Sequence, residues 1–327
     1  MPERRRAAGS WQKRGPPSGG RAAARGRSPA FEGKRRVAPK PGEPFLDWMV
    51  LPTVGVLAVV VGYPVVYALV LSGQHFNFLE PDPPRFVGAA NYVQLLTDPI
   101  FWQALANTAI YTFGSVAVAA LLGLALALLV DNYASPRMRV VRALLLTPWA
   151  VPFVVTAFLF RYMYLQNGGV INALLLDAGI IRAPIAWLNN AAIALPAVMV
   201  ANVWAMTPFF FLLLSAALAG IPNEVLESAR VDRARGWSMV WHVKLPFLRN
   251  GLLVGSLLVV INNFNDFGKI WATTQGGPGY ATTTLVVYVY RLAFENFDFG
   301  YASAMGAVWF VLLMGFALAY LRTLQTR

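Results

Sequence analysis

The sequence predicts an all-α, polytopic membrane protein with six transmembrane helices. Hydrophobic residues make up 57% of the 327 positions and charged residues only 13%, a balance typical of membrane proteins. Six apolar runs are each near the length of about 20 residues that a helix needs to cross a bilayer. Helices are favoured because unpaired backbone groups are costly in lipid, and no alternating pattern predicts a barrel. The six runs are Phe45–Leu71, Gln103–Val130, Ala143–Tyr164, Ala191–Ala219, Gly251–Trp271 and Ala302–Tyr320.

The first 44 residues differ in composition from the rest of the chain. They hold twelve Lys or Arg and three acidic residues, which gives +9 of the total net charge of +12. Because residues 1–44 have almost no large apolar side chains, we expect a disordered basic tail near anionic lipid headgroups. The tail shows no regular alternation of aromatic and basic residues, which argues against nucleic-acid binding. Residues 45–327 then form the transmembrane domain.

The distribution of Lys and Arg predicts which loops face the cytoplasm. Positive residues concentrate in the tail, after the second span, after the fourth span and at the C-terminus. The alternate loops hold one each, which are Arg85, Arg182 and Arg291. We therefore expect a multi-pass membrane protein whose two termini are cytoplasmic, together with the loop at residues 221–246.

Residues 221–246, called the charged loop below, form the only long polar stretch with helical character between two apolar runs. Pro222 suits the first turn of one amphipathic helix. Gly236 predicts a break, followed by a second short amphipathic helix that ends at Pro246. Two short helices at a membrane surface form a projection that another protein can bind. The alternative is a plain connector whose charges face water.

The fifth span contains polar side chains that lipid does not accept unshielded. In a continuous helix, Asn262, Asp266 and Lys269 lie on one stripe, and Asn263 and Asn265 lie beside it. We expect this Asn/Asp cluster to line a substrate pathway. The alternative is that Asp266 and Lys269 neutralise each other near the outer interface, where Lys can extend to water.

The fourth span repeats this spacing with Asn202, Met206 and Phe209. An Asn side chain offers a donor and an acceptor for sugar hydroxyls, and an aromatic ring offers a flat face for the C–H side of a sugar. Such a stripe is also common in ordinary helix packing. Near the outer end of the third span, Arg161 is expected to extend to lipid headgroups.

The charged loop resembles the "EAA" cytoplasmic loop of permeases from ATP-binding-cassette (ABC) importers. The resemblance rests on Glu227-Ser228-Ala229, Val231-Asp232 and Val243-x-Leu245-Pro246, at the spacing of that motif. In that family the loop docks in a cleft of the ATPase subunit and transmits its closure to the membrane helices. The resemblance implies a coupling role for Glu224, Glu227, Ser228, Ala229, Asp232, Arg233, Gly236, Leu245 and Pro246.

Arg233 departs from the motif, because the family usually has glycine there. A positive φ at this position would strain an arginine. We therefore expect Gly236 or Ala234 to absorb the bend, or the turn to shift.

Two further segments resemble the carbohydrate permeases of the maltose and glycerol-3-phosphate type, on the MalF-like side of the pair. One is Phe86–Tyr92, which matches "F-x-G-x-x-N-Y", with Asn107-Thr108 after it. The other runs from Thr273 to Ala302 and contains Gly276-Gly277-Pro278 and Thr282-Thr283-Thr284-Leu285. In that family the loop with Gly276, Gly277 and Pro278 faces the solute-binding protein.

The resemblance implies a type I ABC importer permease in a bacterial inner membrane, which forms half of a pathway for a sugar or oligosaccharide. Its implied partners are a second, MalG-like permease, an ABC ATPase dimer, an extracytoplasmic solute-binding protein and the lipid bilayer. Positions that match the family's sugar contacts are Phe153, Asn202, Met206, Phe209, Asn262, Asn263 and Asp266. Asp266 replaces an amide and Phe153 and Met206 are larger than their counterparts, so we expect the sugar to be held differently.

The sequence offers no catalytic constellation and no metal site. It has no Cys, and His75 and His242 are isolated. No Gly-rich phosphate loop appears, so ATP and Mg²⁺ are expected on the partner ATPase and no cofactor on this chain. Two alternatives stay open, which are an importer of a polyol or glycerol phosphate and a membrane channel that works alone.

Overall fold

The computed structural model describes residues 44–131 and 136–325, most of which are helical. The predicted basic tail at residues 1–44 lies almost wholly outside the described residues. The chain divides into Met1–Val54 and Gly55–Arg327, and all contacts given below lie within the second unit.

Within the described residues, five helical segments have the length and apolar composition to span a membrane, and one bent pair of helices counts as a sixth span. The five are Val50–Ser72, Pro99–Asp131, Ala194–Ala219, Trp237–Phe264 and Phe299–Arg322, and the pair is Arg137–Ala150 with Phe153–Met163. The all-α prediction with six spans is therefore confirmed.

The helices are numbered in chain order. Helices α1–α8 are Pro44–Leu57, Tyr63–Ser72, Ala90–Thr97, Pro99–Ala109, Ser115–Asp131, Pro136–Ala150, Phe153–Met163 and Val170–Asp177. Helices α9–α15 are Ala194–Ala219, Asn223–Val231, Trp237–Met239, Leu245–Phe264, Gly268–Thr274, Leu285–Phe294 and Phe299–Gln325. Three π-helical turns occupy Ala58–Gly62, Ile110–Gly114 and Val240–Lys244, and two short antiparallel strands, β1 and β2, occupy Gln74–His75 and Arg85–Phe86.

The third span is not the single straight helix that the sequence predicted. Helices α6 and α7 meet at an angle of 94°. Pro152 has φ −56° and ψ 141°, outside the helical region, and α7 starts directly after it. A proline also disfavours helical geometry in the residue before it, here Val151. The chain therefore turns sharply in the middle of this span.

The fifth span ends earlier than predicted, at Phe264 and not at Trp271. Asp266 and Lys269 therefore do not share a helical stripe with Asn262, and that prediction was wrong. The side chains of Asn262 and Asn265 donate back to the carbonyl oxygens of Leu258 and Ile261 at 2.8 and 2.7 Å. Such side-chain bonds compete with the helical backbone pattern, so an Asn-rich segment favours a helix end.

The predicted second short helix of the charged loop, ending at Pro246, was also wrong. Helix α11 continues through the π-helical turn Val240–Lys244 into α12, so one helix runs from Trp237 to Phe264. A proline ring collides with the carbonyl four residues before it, here His242, which lies inside the wide turn. The wider π-helical turn moves this carbonyl away and lets the helix pass through Pro246.

The packing core lies between α5, α9 and α12. Gly123 in α5 lets α9 approach closely, since a Cβ there would collide with Phe210. Phe210 and Leu214 are fully buried in the same cluster, together with Val259 of α12. Many large apolar side chains on the spans are exposed, as expected for helices that face lipid.

Candidate functional site

A cavity of about 550 Å³, called the amide cavity, lies where α6, α7, α9 and the α12–α13 junction meet. Its lining includes six of the seven predicted pathway residues, which are Phe153, Met206, Phe209, Asn262, Asn263 and Asp266. The bend of the third span places Phe153, the first residue of α7, in this lining. The end of α12 supplies the amides, so the two helix breaks together build the cavity.

Asp266 is held by an ion pair in the wall of the amide cavity. Its Oδ2 lies 2.8 Å from the Nζ of Lys269, and the two side chains are only 10% and 9% exposed. The hydroxyl of Tyr111 donates to the same Oδ2 at 2.6 Å. Asp266 therefore lines the cavity and is also paired with Lys269, but Lys269 is buried and does not extend to water as that alternative expected.

Asn202 does not line the amide cavity. It is fully buried on α9, and its side-chain nitrogen and oxygen have no hydrogen-bond partner. The side-chain nitrogen of Asn263, which does line the cavity, is also buried without a partner. A buried amide without a partner costs about 1–3 kcal/mol, so these groups favour a bound polar molecule or water nearby.

Trp149 and Gly268 also line the amide cavity, and sequence reasoning missed both. The Trp149 ring lies 6.2 Å from that of Phe209, centre to centre. A Cβ at Gly268 would collide with the Phe153 ring, so glycine is needed for the ring to lie there. Pro148 and Pro152 on either side of Trp149 were the signal that this segment departs from a plain span.

Asn107 and Thr108 contact the loop before α14, which contains Gly276, Gly277 and Pro278. The Asn107 side chain donates to the carbonyl oxygens of Tyr280 and Thr283 at 3.0 and 2.9 Å. Thr108 accepts from the backbone N–H of Leu285 at 2.9 Å. Because Asn107 and Thr108 belong to the second span, the loop before α14 is fixed to that span.

Gly276, Gly277 and Pro278 form a rigid turn in this loop. Gly276 has φ +85°, and a Cβ there would lie 2.6 Å from the Thr283 hydroxyl oxygen, so only glycine fits. The Thr282 and Thr283 hydroxyls donate to the carbonyl oxygens of Gly277 and Gly276 at 2.8 and 2.9 Å.

Asp98 joins three helices. It caps α4 by accepting from the N–H of Ile100 at 2.8 Å, and it accepts from the hydroxyls of Tyr288 and Tyr301 at 2.6 and 2.8 Å. Burial, and then the bond to Asp98, raise the pKa of the Tyr288 hydroxyl well above its usual value. This hydroxyl therefore stays a neutral donor to Asp98 throughout the physiological pH range.

The charged loop presents most of its predicted coupling residues to the surface. Exposed members are Glu224, Glu227, Ser228, Asp232, Arg233, Gly236 and Pro246, while Ala229 and Leu245 are partly buried. Apolar side chains are exposed beside them, with Val231 at 81%, Trp237 at 70% and Trp241 at 50%. An exposed patch that mixes charges with large apolar groups is typical of a protein-binding surface.

Helix α10 ends in a Schellman motif with an arginine at the position that favours glycine. The N–H of Ala234 donates to Ala229 O at 2.9 Å, and the N–H of Arg233 donates to Arg230 O at 3.1 Å. Arg233 itself has φ +63°, so the expectation that Gly236, Ala234 or a shifted turn would absorb this bend was wrong. Gly236, at φ +55°, makes a separate bend at the break that was predicted there.

An ion pair fixes the start of the long helix Trp237–Phe264 to the second span. The Nζ of Lys244 lies 2.7 Å from the Oδ2 of Asp131, with side chains 11% and 30% exposed. Asp131 is the last residue of α5, and Lys244 is the last of the π-helical turn. The end of the charged loop is therefore joined to two spans.

Comparison with known proteins identifies the family. Residues 119–327 match the family described as "Binding-protein-dependent transport system inner membrane component". The chain belongs to this family. The permease is 35% identical to the trehalose/maltose transport system permease protein MalF of Thermococcus litoralis, over 84% of this chain and 91% of the relative. It is 31% identical to the sulfoquinovosyl glycerol transport system permease protein SmoG of Agrobacterium fabrum, over 85% of this chain and 90% of the relative.

A solved structure shares the fold. A chain of a bacterial alginate ABC transporter, in complex with an alginate pentasaccharide-bound periplasmic protein, superposes with a TM-score of 0.73 at 21% identity. The match covers 84% of the permease and 92% of that chain. The predicted importer-permease fold is thus confirmed, and the protein is a transport subunit and not an enzyme.

Proposed function

We propose that this permease forms half of the transmembrane pathway for a sugar or oligosaccharide. A solute-binding protein delivers the cargo, and a second, MalG-like permease completes the pathway. An ATPase dimer, which holds ATP and Mg²⁺, docks on the charged loop. Transport proceeds by alternating access around the amide cavity.

The amide cavity is the observation on which this proposal rests. Its lining combines the Asn262 and Asn263 amides with the aromatic side chains of Phe153 and Phe209. Amides supply donors and acceptors for hydroxyls, and aromatic rings supply faces for the C–H side of a sugar. This combination suits a neutral sugar better than an ion.

The charge of the cavity argues against a phosphorylated cargo. Lys269 is the cationic residue in the lining, and Asp266 already pairs with it at 2.8 Å. A glycerol phosphate would find no free ammonium or guanidinium group there. The names of the relatives, which include trehalose, maltose and sulfoquinovosyl glycerol permeases, agree with a carbohydrate cargo.

A single helix links the charged loop to the amide cavity. It starts at Trp237 in the loop and ends at Phe264, next to Asn262 and Asn263. Its 28 residues span roughly 40 Å at 1.5 Å per residue. A movement of the loop caused by closure of the ATPase dimer is therefore transmitted to the cavity through one continuous helix.

Glu227→Arg tests the coupling. Glu227 is exposed on α10, so the substitution leaves packing intact and reverses the charge offered to the ATPase. We expect assembly of the importer and ATP hydrolysis to persist, while sugar uptake in whole cells falls at least tenfold. Uptake of a radiolabelled sugar, together with copurification of the ATPase, measures both effects.

Asp177→Arg is the matched control, since Asp177 is an exposed acid at the end of α8. We expect this variant to transport normally. Normal uptake by Glu227→Arg would overturn the coupling role of the charged loop.

A further inference from the structure

A second, smaller cavity of about 290 Å³ lies at the far end of α7 and α13 and is called the mouth cavity. Its lining includes Arg161, Gln166, Trp187, Asn189, Thr274 and Pro278. None of these residues lines the amide cavity. A volume near 300 Å³ is at the small end of ligand sites and suits one sugar ring.

The aromatic wall of the mouth cavity is fixed in place. The indole N–H of Trp187 donates to Asn172 Oδ1 at 3.0 Å. Asn172 is 2% exposed, and its Nδ2 donates to the carbonyl oxygen of Ile185 at 2.9 Å. The Tyr164 ring supports the indole at 5.8 Å, centre to centre, and its hydroxyl donates to Ala197 O. A ring held this firmly loses little entropy when a ligand stacks on it.

The polar wall has unused hydrogen-bonding groups. The one described hydrogen bond of the Arg161 side chain runs from Nη1 to Ala272 O at a long 3.5 Å, and no acidic residue among those described pairs with it. Arg161 therefore contacts α13 beside the cavity. The side chains of Gln166 and Asn189 are exposed and make no hydrogen bond within the described chain. These three side chains are free to bind hydroxyl groups.

The mouth cavity and the amide cavity share two helices. Helix α7 contributes Phe153 to the amide cavity and Arg161 to the mouth cavity, while α13 contributes Gly268 to one and Thr274 to the other. From Phe153 to Arg161 the rise along the helix is roughly 12 Å. A short oligosaccharide can span this distance, and a single sugar can pass from one cavity to the other in one step.

We propose that the mouth cavity is a second carbohydrate subsite, which binds one pyranose ring of the cargo before it enters the amide cavity. The C–H face of the ring stacks on Trp187, and its hydroxyls bond to Arg161, Gln166 and Asn189. The site rests on the proposed function, since it takes the same class of neutral sugar. It holds the sugar after release from the binding protein and so prevents its escape.

Photolabelling tests the proposal on the assembled importer. The importer is placed in lipid nanodiscs without binding protein and irradiated with a diazirine derivative of trehalose. We expect labelled peptides that contain residues 161–166 or 186–189, in addition to peptides of the amide cavity. The double variant Arg161→Gln/Gln166→Ala reduces the mouth label at least fivefold, whereas Asn263→Ala reduces the label in the amide cavity and leaves the mouth label.

Arg182→Gln is the control, because Arg182 is an exposed arginine outside the mouth-cavity lining. We expect this variant to keep both labels. Gel filtration and a measurement of basal ATP hydrolysis show whether each variant is assembled. Label confined to the amide cavity overturns the mouth subsite and leaves the proposed function standing. Label in neither cavity overturns the subsite and also counts against a sugar cargo. Crosslinking of Gln166→Cys to the binding protein with no mouth label overturns the subsite in favour of a protein contact.

Discussion

Lys269 balances the charge of Asp266 beside the amide cavity. The two groups lie 2.8 Å apart, and both side chains are about nine-tenths buried. Removal of one partner leaves the other charge buried alone, which costs about 3–5 kcal/mol. We predict that Lys269→Ala lowers the thermal unfolding midpoint of the purified importer by several degrees and reduces its yield.

The double variant Asp266→Asn/Lys269→Ala provides the control for this prediction. It removes both charges, and Tyr111 keeps a neutral hydrogen-bond partner at residue 266. We expect it to recover most of the lost stability. A double variant no more stable than Lys269→Ala would show that the ion pair is not the source of the loss.

At the level of single residues, sequence spacing predicted the local contacts and missed the distant ones. Asp266 and Lys269 are three positions apart, and this spacing was enough to indicate that their side chains can form an ion pair. The hydroxyl of Tyr111, which completes the same group, lies 155 positions away and carries no local signal. Asn202 was predicted beside the pathway from its stripe on α9, but helix packing buries it completely.

At the level of single helices, the end of α10 carries a strained residue. Arg233 adopts φ +63° to close the Schellman motif. A left-handed conformation costs a residue with a Cβ about 1 kcal/mol, which glycine does not incur. We predict that Arg233→Gly slows hydrogen exchange of the backbone amides at positions 233 and 234 about fivefold.

Arg235→Gly is the matched control for the α10 end. Arg235 is a neighbouring exposed arginine whose φ is not among the positive values of the described chain. Glycine there adds backbone freedom without relieving strain, so we expect unchanged or faster exchange of the same amides. Equal slowing in both variants would mean that loss of charge, and not backbone strain, controls this helix end.

The existence of each span was predictable, whereas three features of the helix ends were not. These are the bend at Pro152, the end of α12 at Phe264 and the continuation of the helix through Pro246. Apolar length predicts a span because the bilayer sets it, and this signal survives any packing arrangement. Pro152 does break the third span and Pro246 does not break the fifth, although both are prolines in an apolar context. In the fifth span a π-helical turn, Val240–Lys244, precedes Pro246 and accompanies the continued helix, and helix propensity alone does not report such a turn.

At the level of the whole molecule, composition and charge predicted most of the architecture. The charged loop and the mouth cavity lie at opposite ends of the spans, as the alternation of Lys- and Arg-rich loops requires. The amide cavity was predicted as a set of residues but not as a volume. Its shape depends on the 94° bend at Pro152 and on the end of α12, which are both properties of the folded chain.

The orientation of the chain in the membrane is directly testable, because the sequence has no cysteine. An introduced cysteine is therefore the single thiol in the protein. The excess of Lys and Arg near the charged loop predicts that Ser228→Cys faces the cytoplasm and Arg182→Cys faces outward. Both positions are exposed, so each thiol is open to reagent. In intact spheroplasts, a membrane-impermeant maleimide should label Arg182→Cys and leave Ser228→Cys unlabelled until the membrane is permeabilised. The reverse pattern would place the charged loop beyond the reach of any cytoplasmic ATPase and remove the basis for coupling.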